Sequence, residues 1–189
     1  MGMARTLLAS GMAAALLALS ACGGGAKFRP VSDVPVRIGP PYTVRGVTYT
    51  PRADSRYDEV GYASWYGPES GNRTANGEHF QPDWVSAAHT TLPLPSYVEV
   101  TDLDTGKRII VRVNDRGPFA GRGRIIDLSR GAAKELGMLQ RGVAPVRVRA
   151  VEPSKKDRER LREGKTAKEP GRVSERELRR LRERLAAGG

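Results

Sequence analysis

The chain has 189 residues and a formal net charge of +11, with 32 Lys and Arg against 21 Asp and Glu. This length suits one hydrophobic core with flanking segments and argues against two separate cores. A single cysteine excludes an internal disulfide, and one cysteine with two histidines makes no credible metal site. We therefore expect neither a metal nor a cofactor.

The amino terminus has the features of an export signal. Residues 1–21 contain a basic start at Arg5 and an apolar run, residues 6–21, that is shorter than the roughly 20 residues of a comfortable membrane span. The run ends in small residues before Cys22, which resembles the bacterial lipobox, whose cysteine is acylated. Two or more acyl chains would anchor the protein stably to a bilayer. An ordinary signal peptide followed by a free thiol is the alternative.

The predicted export signal limits the partners that the positively charged chain could bind. A basic chain would ordinarily suggest nucleic acid, but an exported lipoprotein does not meet it, so we expect no nucleic-acid partner. Anionic envelope polymers and lipid head groups take its place. Gly23 follows the cysteine, where aspartate would suggest retention in the inner membrane of enteric bacteria. The sequence thus favours the outer membrane, with the protein facing the periplasm.

Residues 22–60 are predicted to form a tether and an arm. The Gly- and Pro-rich composition of residues 23–41 is typical of a flexible tether. The next stretch, "YTVRGVTYTP", alternates around Arg45 and Gly46 and predicts a small hairpin packed on the domain.

Residues 61–152 are predicted to form a small β-barrel. Alternation of apolar and polar residues predicts five short strands at "GYASWYG", "YVEV", "KRIIVRV", "RIIDL" and "APVRVRAV". The turn "TDLDTG" joins the second and third into a hairpin. Between the last two strands, "SRGAAKELG" has Ser129 as an N-cap and Gly137 as a C-cap, which predicts one short helix. Short strands with a single helix favour a barrel.

Charged residues dominate the tail, residues 153–189. Residues 154–171 are expected to be a disordered, solvated linker. Ser174 and Glu177 then form a capping box. Three leucines follow on one helical face, at Leu178, Leu181 and Leu185. A short amphipathic helix is predicted, which would need a partner surface or the membrane to form. A frayed, solvated tail is the alternative.

Asp115 ends the strand "IIVRVND" beside two arginines. If the strand keeps its register, Asp115 shares a face with Val113 and Val111, whereas Asn114 shares the other with Arg112. A carboxyl group at the rim of an apolar face is desolvated and favours its protonated form, as a general acid requires. The alternative is a turn, in which Asp115 bonds to the backbone before Gly117.

A second polar cluster lies in the loops "GNRTANGEHF" and "SAAHTTLPLP", which carry Glu78 and His89. Cleavage of a glycosidic bond typically needs a proton donor and a second group that stabilises positive charge, and Asp115 with Glu78 could fill these roles. Flat apolar faces for sugar rings, or simple core filling, would come from four aromatic residues: Trp65, Tyr66, Trp84 and Phe119.

Four segments together resemble the rare lipoprotein A (RlpA) family of septal-ring lipoproteins: "GYASWYG", "RTANGE", "SAAHTTLPLPSYVEVTDLDTGK" and "VRVNDRGPFAGRGRIIDLSRGAAKELGM". The resemblance covers about residues 42–151. It implies a mainly β fold, a six-stranded double-psi β-barrel with one short helix. It also implies peptidoglycan binding and, in some members, lytic transglycosylase activity.

The resemblance also assigns roles. It makes Asp115, Glu78 and His89 the catalytic residues. The same motifs supply the substrate-binding candidates Trp65, Tyr66, Arg73, Thr74, Asn76, Asn114 and Arg116. One position departs from the family pattern, because Gln81 stands where members usually carry aspartate. Many relatives carry a C-terminal glycan-binding SPOR domain, and here we expect the basic tail in its place.

The leading hypothesis is a lipid-anchored, monomeric lytic transglycosylase acting on peptidoglycan in wall remodelling and septation. A non-catalytic peptidoglycan-binding lipoprotein is the alternative, and a scaffold recruited to division-site proteins through the tail is a third reading. Peptidoglycan glycan strands, the membrane and division-site proteins are the expected partners.

Overall fold

The computed structural model describes residues 28–188. The strands are β1 Tyr42–Val44, β2 Val47–Tyr49, β3 Asp58–Tyr66, β4 Ser86–Ala88, β5 Ser96–Asp102, β6 Arg108–Asp115, β7 Arg124–Ser129 and β8 Ala144–Ala150. The helices are α1 Arg130–Leu136, α2 Lys155–Arg162 and α3 Glu175–Ala186, and a single 3-10 turn spans Pro68–Ser70. The predicted signal peptide and Cys22 lie outside the described residues.

Six strands close into a barrel in the order β3-β7-β4-β6-β5-β8, as predicted. The pairs β3 with β7 and β4 with β6 are parallel, and the other four are antiparallel. Alternate residues of β6 face the interior, where Val111 and Val113 are fully buried. The predicted β5–β6 hairpin and the separate β1–β2 hairpin are both present.

The sequence did not indicate β4. This strand has only three residues, Ser86, Ala87 and Ala88, all buried, and it lies between β6 and β7. Small side chains without apolar and polar alternation give no strand signal. Its position is nevertheless central, because it joins the two strands that carry the acidic residues of the candidate site.

Helix α1 begins and ends as predicted. The Ser129 hydroxyl accepts a hydrogen bond from the Ala132 amide at 3.1 Å, which caps the amino end. Gly137 adopts a left-handed conformation at the other end, with φ of 83°, and its amide bonds to the Ala133 carbonyl oxygen. Both caps satisfy backbone groups that a helix end leaves without a partner.

The expectation of a flexible tether is wrong for residues 28–41, which lie docked on the barrel. The Arg29 amide donates to the Gly77 carbonyl at 2.7 Å. Arg37 and Leu94 exchange two backbone hydrogen bonds, each of 2.8 Å. These polar contacts are made by backbone groups and long side chains, which a composition rich in Gly and Pro does not reveal.

The expectation of a solvated linker is wrong for the region that includes α2. Leu161 of this helix is buried in the main hydrophobic core. Gly164 lies directly against the Trp84 indole, where a Cβ atom would fall within 2.4 Å of ring atoms. Glycine is required there by this close approach and by its φ of 75°. One face of the Trp84 indole is therefore covered by the tail and is closed to a sugar ring.

Helix α3 forms as the capping box predicted, and the barrel itself is the partner surface that it needs. The Ser174 hydroxyl accepts from the Glu177 amide at 3.3 Å. Leu178 and Leu181 are buried in a second apolar cluster with Val60 and Leu103. The alternative of a frayed, solvated tail is wrong for this helix. Among residues 28–188, no helix has the length and apolarity to cross a membrane.

Replacing Leu178 with Ala should lower the free energy of unfolding by about 2–4 kcal/mol, because a fully buried leucine leaves a cavity. Urea denaturation followed by circular dichroism measures this. Leu185→Ala is the control, since Leu185 is only half-buried at the edge of the same cluster. An effect at Leu178 no larger than that at Leu185 would contradict the packing of α3 on the barrel.

Candidate active site

Asp115 lies at the end of β6, with its two carboxylate oxygens in different surroundings. Oδ1 accepts hydrogen bonds from the Ala75 amide at 2.7 Å and from the Arg116 amide at 2.8 Å. Oδ2 accepts no hydrogen bond from residues 28–188. It is also not buried, so it remains accessible. One oxygen is thus fixed by the protein, and the other is open to solvent or a ligand.

The setting of Asp115 favours its protonated form. Burial raises the pKa of this carboxyl group, and the two amide bonds and the Arg116 charge oppose that rise only in part. The strand register that suggested desolvation does not extend this far. Ala87 pairs with Val113 but Ala88 pairs with Asp115, so β6 carries one extra residue at Asn114. Such β-bulges re-aim side chains and are common next to active sites.

Glu78 is buried and ionised. Arg112 donates to both of its oxygens, at 2.7 Å and 2.8 Å. The Asn114 and Asn76 side-chain amides donate at 2.9 Å and 2.8 Å. Burial alone would raise the pKa of Glu78, but the hydrogen bonds and charge of Arg112, with the two amides, hold it below its usual value. With four donors around it, Glu78 has no free oxygen for a substrate.

The Glu78 network positions the loop that binds Asp115. The Asn76 amide donates to the Asn114 carbonyl at 3.1 Å. The Thr74 hydroxyl accepts from the Glu78 amide at 3.2 Å, which closes the turn. Ala75 lies between these anchored residues and points its amide at Asp115. Glu78, Thr74, Asn76 and Asn114 therefore act on Asp115 through this loop.

His89 is buried and neutral. Its Nδ1 accepts from the Thr91 and Leu92 amides, both at 3.1 Å, so Nε2 carries the proton. Burial, assisted by the Arg116 charge, lowers the pKa of His89 to about 3. Its backbone amide donates to the Asp115 carbonyl at 3.0 Å. His89 thus orders the loop beside Asp115, and its ring makes no hydrogen bond to that carboxylate.

Arg116 links this loop to the amino-terminal arm. Its guanidinium donates to the Leu92 carbonyl at 2.6 Å and to the Ile38 carbonyl at 3.1 Å. The guanidinium carbon also lies 6.0 Å from the centre of the Tyr42 ring. Arg116 is half-buried and occupied by these contacts, which hold the turn after Asp115 in place.

The site contains a second carboxylate, Asp127, which was not predicted from the sequence. Ala88 pairs with Asp115 on one side and with Asp127 on the other. The two aspartate backbones are therefore two strand spacings apart, about 9–10 Å. Asp127 accepts from the Ser64 hydroxyl at 2.7 Å and from Arg124 at 2.7 Å. The signal in "RIIDLS" was the single aspartate that interrupts an otherwise apolar stretch.

The remaining candidates, Tyr66, Trp65 and Arg73, lie in different surroundings. Tyr66 stacks on Phe80 with ring centres 4.9 Å apart, and its hydroxyl is buried without a partner among the described residues. Burial, with the charges of Asp115 and Asp127, raises the pKa of Tyr66 well above its ordinary value. Trp65 packs on the main core. Arg73 is exposed and pairs through its backbone with His79.

Gln81, which stands where the family usually has aspartate, lies on the exposed side of the same loop. Its side-chain amide is 3.1 Å from His79 Nδ1. It makes no hydrogen bond to Asp115, Glu78 or His89. Within residues 28–188, no three His, Cys, Asp or Glu side chains are grouped as metal ligands would be.

Glu78→Gln should lower the free energy of unfolding by about 3–5 kcal/mol, because Arg112 would lose its buried charge partner. The pKa of Glu78 is below its ordinary 4.5 in the folded protein. Its stabilisation is therefore present above pH 4.5 and is lost as the pH falls through the lower folded value. Urea unfolding between pH 7 and pH 3 should show a shallower acid loss in Glu78→Gln than in the wild type.

The control is Glu183→Gln, which changes an exposed glutamate of α3. It should leave both the stability and its pH dependence near wild type. Equal effects of the two substitutions would show that the Glu78 pair does not hold the loop.

Known proteins with similar sequences indicate which family the barrel resembles. Residues 58–148 match the family described as lytic transglycolase. The endolytic peptidoglycan transglycosylase RlpA of Pseudomonas aeruginosa is 57% identical over 115 residues, which cover 60% of this chain and 33% of the relative. That of Neisseria meningitidis is 47% identical over 114 residues, which cover 59% of this chain and 47% of the relative. The chain therefore spans between a third and a half of the length of these two proteins.

Among solved structures, the Streptomyces papain inhibitor aligns with a TM-score of 0.44 at 24% identity, over 53% of this chain and 100% of that one. The closed six-stranded barrel, which matches the lytic transglycolase family over residues 58–148, is thus similar to the corresponding part of these RlpA proteins.

Proposed function

We propose that the chain is a lytic transglycosylase that cleaves the bond between N-acetylmuramic acid and N-acetylglucosamine in peptidoglycan. The burial and hydrogen bonding of Asp115 are the main support for this proposal. Its carboxyl group is half-buried, with one oxygen held by two backbone amides and the other open. Burial raises its pKa, so the proton persists at a higher pH than on an ordinary aspartate. Relatives named peptidoglycan transglycosylases support the reaction class.

In the first step, the open oxygen of protonated Asp115 donates its proton to the glycosidic oxygen. The bond from that oxygen to the muramoyl C1 breaks, and N-acetylglucosamine leaves with its hydroxyl restored. Positive charge develops at C1 and the ring oxygen. The Asp127 carboxyl group, two strands away and held by Arg124 and Ser64, is placed to give electrostatic support on this side of the barrel.

In the second step, Asp115 acts as a base. Its carboxylate takes the proton from the muramoyl C6 hydroxyl as that oxygen bonds to C1. The product is a 1,6-anhydro sugar, no water is consumed, and Asp115 regains the proton that it gave. A single titrating carboxyl group suffices for both steps, in keeping with Glu78 being buried and fully bonded.

A binding protein is the alternative, and the second carboxylate, Asp127, raises a further one. Inverting glycosidases use two carboxyl groups with a water molecule between them. The products distinguish all three. Transglycosylation gives an anhydro sugar, hydrolysis gives a reducing end heavier by one water, and a binder gives neither.

We further propose that Cys22 is acylated and that the protein is held on the outer membrane, facing the periplasm, where it acts as a monomer in wall remodelling and septation. The lipobox-like residues before Cys22 support the anchor. Division-site proteins and glycan strands are the proposed partners, with no nucleic acid.

Asp115→Asn should reduce the release of anhydro product by at least about a hundredfold, since general acid and base catalysis contribute that much or more. Asparagine keeps the size and accepts the same amide bonds but carries no titrating proton. Mass spectrometry of products from stem-peptide-stripped sacculi measures turnover, and co-sedimentation measures binding. The wild-type rate should also fall as the pH rises through the raised pKa of Asp115.

Two further variants serve as comparisons. Asp127→Asn should cause a smaller loss, because its role is electrostatic support. Asp104→Asn changes an exposed turn aspartate paired with Arg141 and should leave turnover unchanged. Full activity in Asp115→Asn would reduce Asp115 to a turn residue, and binding without any product in the wild type would favour the binding protein.

Cys22→Ser should abolish incorporation of a fatty-acid analogue and leave an unprocessed or mislocalised protein, because the acyl chains need the cysteine sulfur. Metabolic labelling followed by membrane fractionation measures both effects. If the wild-type protein takes up no label, the proposed anchor is wrong.

A further inference from the structure

Exposed large apolar side chains are concentrated in the amino-terminal arm. The described part of the chain has six of them: Val34 at 72%, Val36 at 55%, Ile38 at 42%, Val47 at 53%, Tyr62 at 40% and Val143 at 51% exposure. Four of the six fall within residues 34–47. Single exposed apolar residues are ordinary, but several of them close together in the chain are a candidate interaction surface.

This part of the arm is also purely basic. Residues 34–53 contain Arg37, Arg45 and Arg52 and no acidic residue. Arg52 pairs with Asp54, whereas Arg37 and Arg45 form no salt bridge among the described residues. We define the arm ridge as Val34, Val36, Ile38 and Val47 together with Arg37 and Arg45.

Acidic groups near the arm ridge are already paired. Asp33 binds Arg112 at 3.2 Å and Arg162 at 2.5 Å. Glu152, at the apolar groove that Val36 also lines, binds Arg158 at 3.5 Å. The two free guanidinium groups are therefore available to an external anion.

Hydrogen bonds to the barrel fix the backbone of the arm ridge. Arg37 exchanges two backbone hydrogen bonds with Leu94. Arg116 donates to the Ile38 carbonyl at 3.1 Å. The Tyr42 hydroxyl donates to the Thr90 carbonyl at 2.7 Å, which anchors the hairpin. The exposed side chains are thus presented on a fixed backbone, so binding would cost little ordering.

We propose that the arm ridge contacts the surface of an anionic phospholipid bilayer. Branched aliphatic side chains offer no flat face for a sugar ring, but they fit the boundary between head groups and acyl chains. Guanidinium groups bind phosphate oxygens with two parallel hydrogen bonds. The chain outside the structure ends next to Phe28, six residues after Cys22, so a lipid on that cysteine would bring the bilayer to this side of the barrel. The contact does not depend on the chemistry of Asp115.

Site-specific labelling of the full chain in vesicles tests this proposal. Val36→Cys and Val143→Cys each place a polarity-sensitive dye at a similarly exposed valine, on the arm ridge and away from it. The protein is reconstituted in vesicles of phosphatidylethanolamine and phosphatidylglycerol. The dye at position 36 should shift to the blue, and its quenching by aqueous iodide should be about threefold weaker than at position 143, because it enters the interface. Mass spectrometry counts the dyes and shows whether Cys22 is blocked.

Charge variants complete the test. Arg37→Gln with Arg45→Gln should restore iodide access at position 36, whereas Arg122→Gln, an exposed arginine outside the arm, should not. Neutral phosphatidylcholine vesicles should act like the double variant. Equal quenching at positions 36 and 143 would overturn the proposal. So would shielding that rises with protein density and not with anionic lipid, since a second copy of the chain would then cover the arm ridge.

Discussion

The site depends on one buried ion pair, that of Glu78 and Arg112. Neither residue could be buried alone, because an unpaired charge in the interior is strongly destabilising. Arg112 lies on β6 and Glu78 on the loop before β4, so the pair fixes the loop against the barrel. Arg112 also donates to the Ser32 carbonyl at 2.8 Å, which ties the arm to the same point. The amide that Ala75 gives to Asp115 is a consequence of this arrangement.

The barrel could be predicted largely from local patterns, and Asp115 could be singled out by its place at the end of one strand. The alternation in β6 placed Asp115 at a strand end, and the two caps of α1 placed its ends. The division of labour among the polar residues could not be predicted. Glu78 and Asp115 are both carboxylates in polar loops, and only the contacts distinguish them. Four donors keep Glu78 ionised, whereas burial with one free oxygen favours a proton on Asp115.

The prediction of a disordered tail was wrong because composition describes a segment as a whole and not its individual residues. Residues 154–171 are mostly charged, yet the single Leu161 enters the core and Gly164 lies on Trp84. Many of the basic residues are likewise bound within the fold. Glu99, for example, is buried beneath Arg149 at 2.9 Å and Arg108 at 3.4 Å. The net charge of the chain therefore overstates what is free to bind an anionic polymer.

The docking of Phe28 and Arg29 on the barrel limits the distance between the barrel and Cys22. Phe28 lies edge-on to His79 with ring centres 4.6 Å apart, on the loop that carries Glu78. Five residues lie between Cys22 and Phe28, and even a fully extended chain spans only about 20 Å from one to the other. With the proposed lipid on Cys22, the open oxygen of Asp115 would be confined to a thin layer next to the bilayer. Such an enzyme would work on the glycan strands nearest its membrane and leave more distant layers untouched.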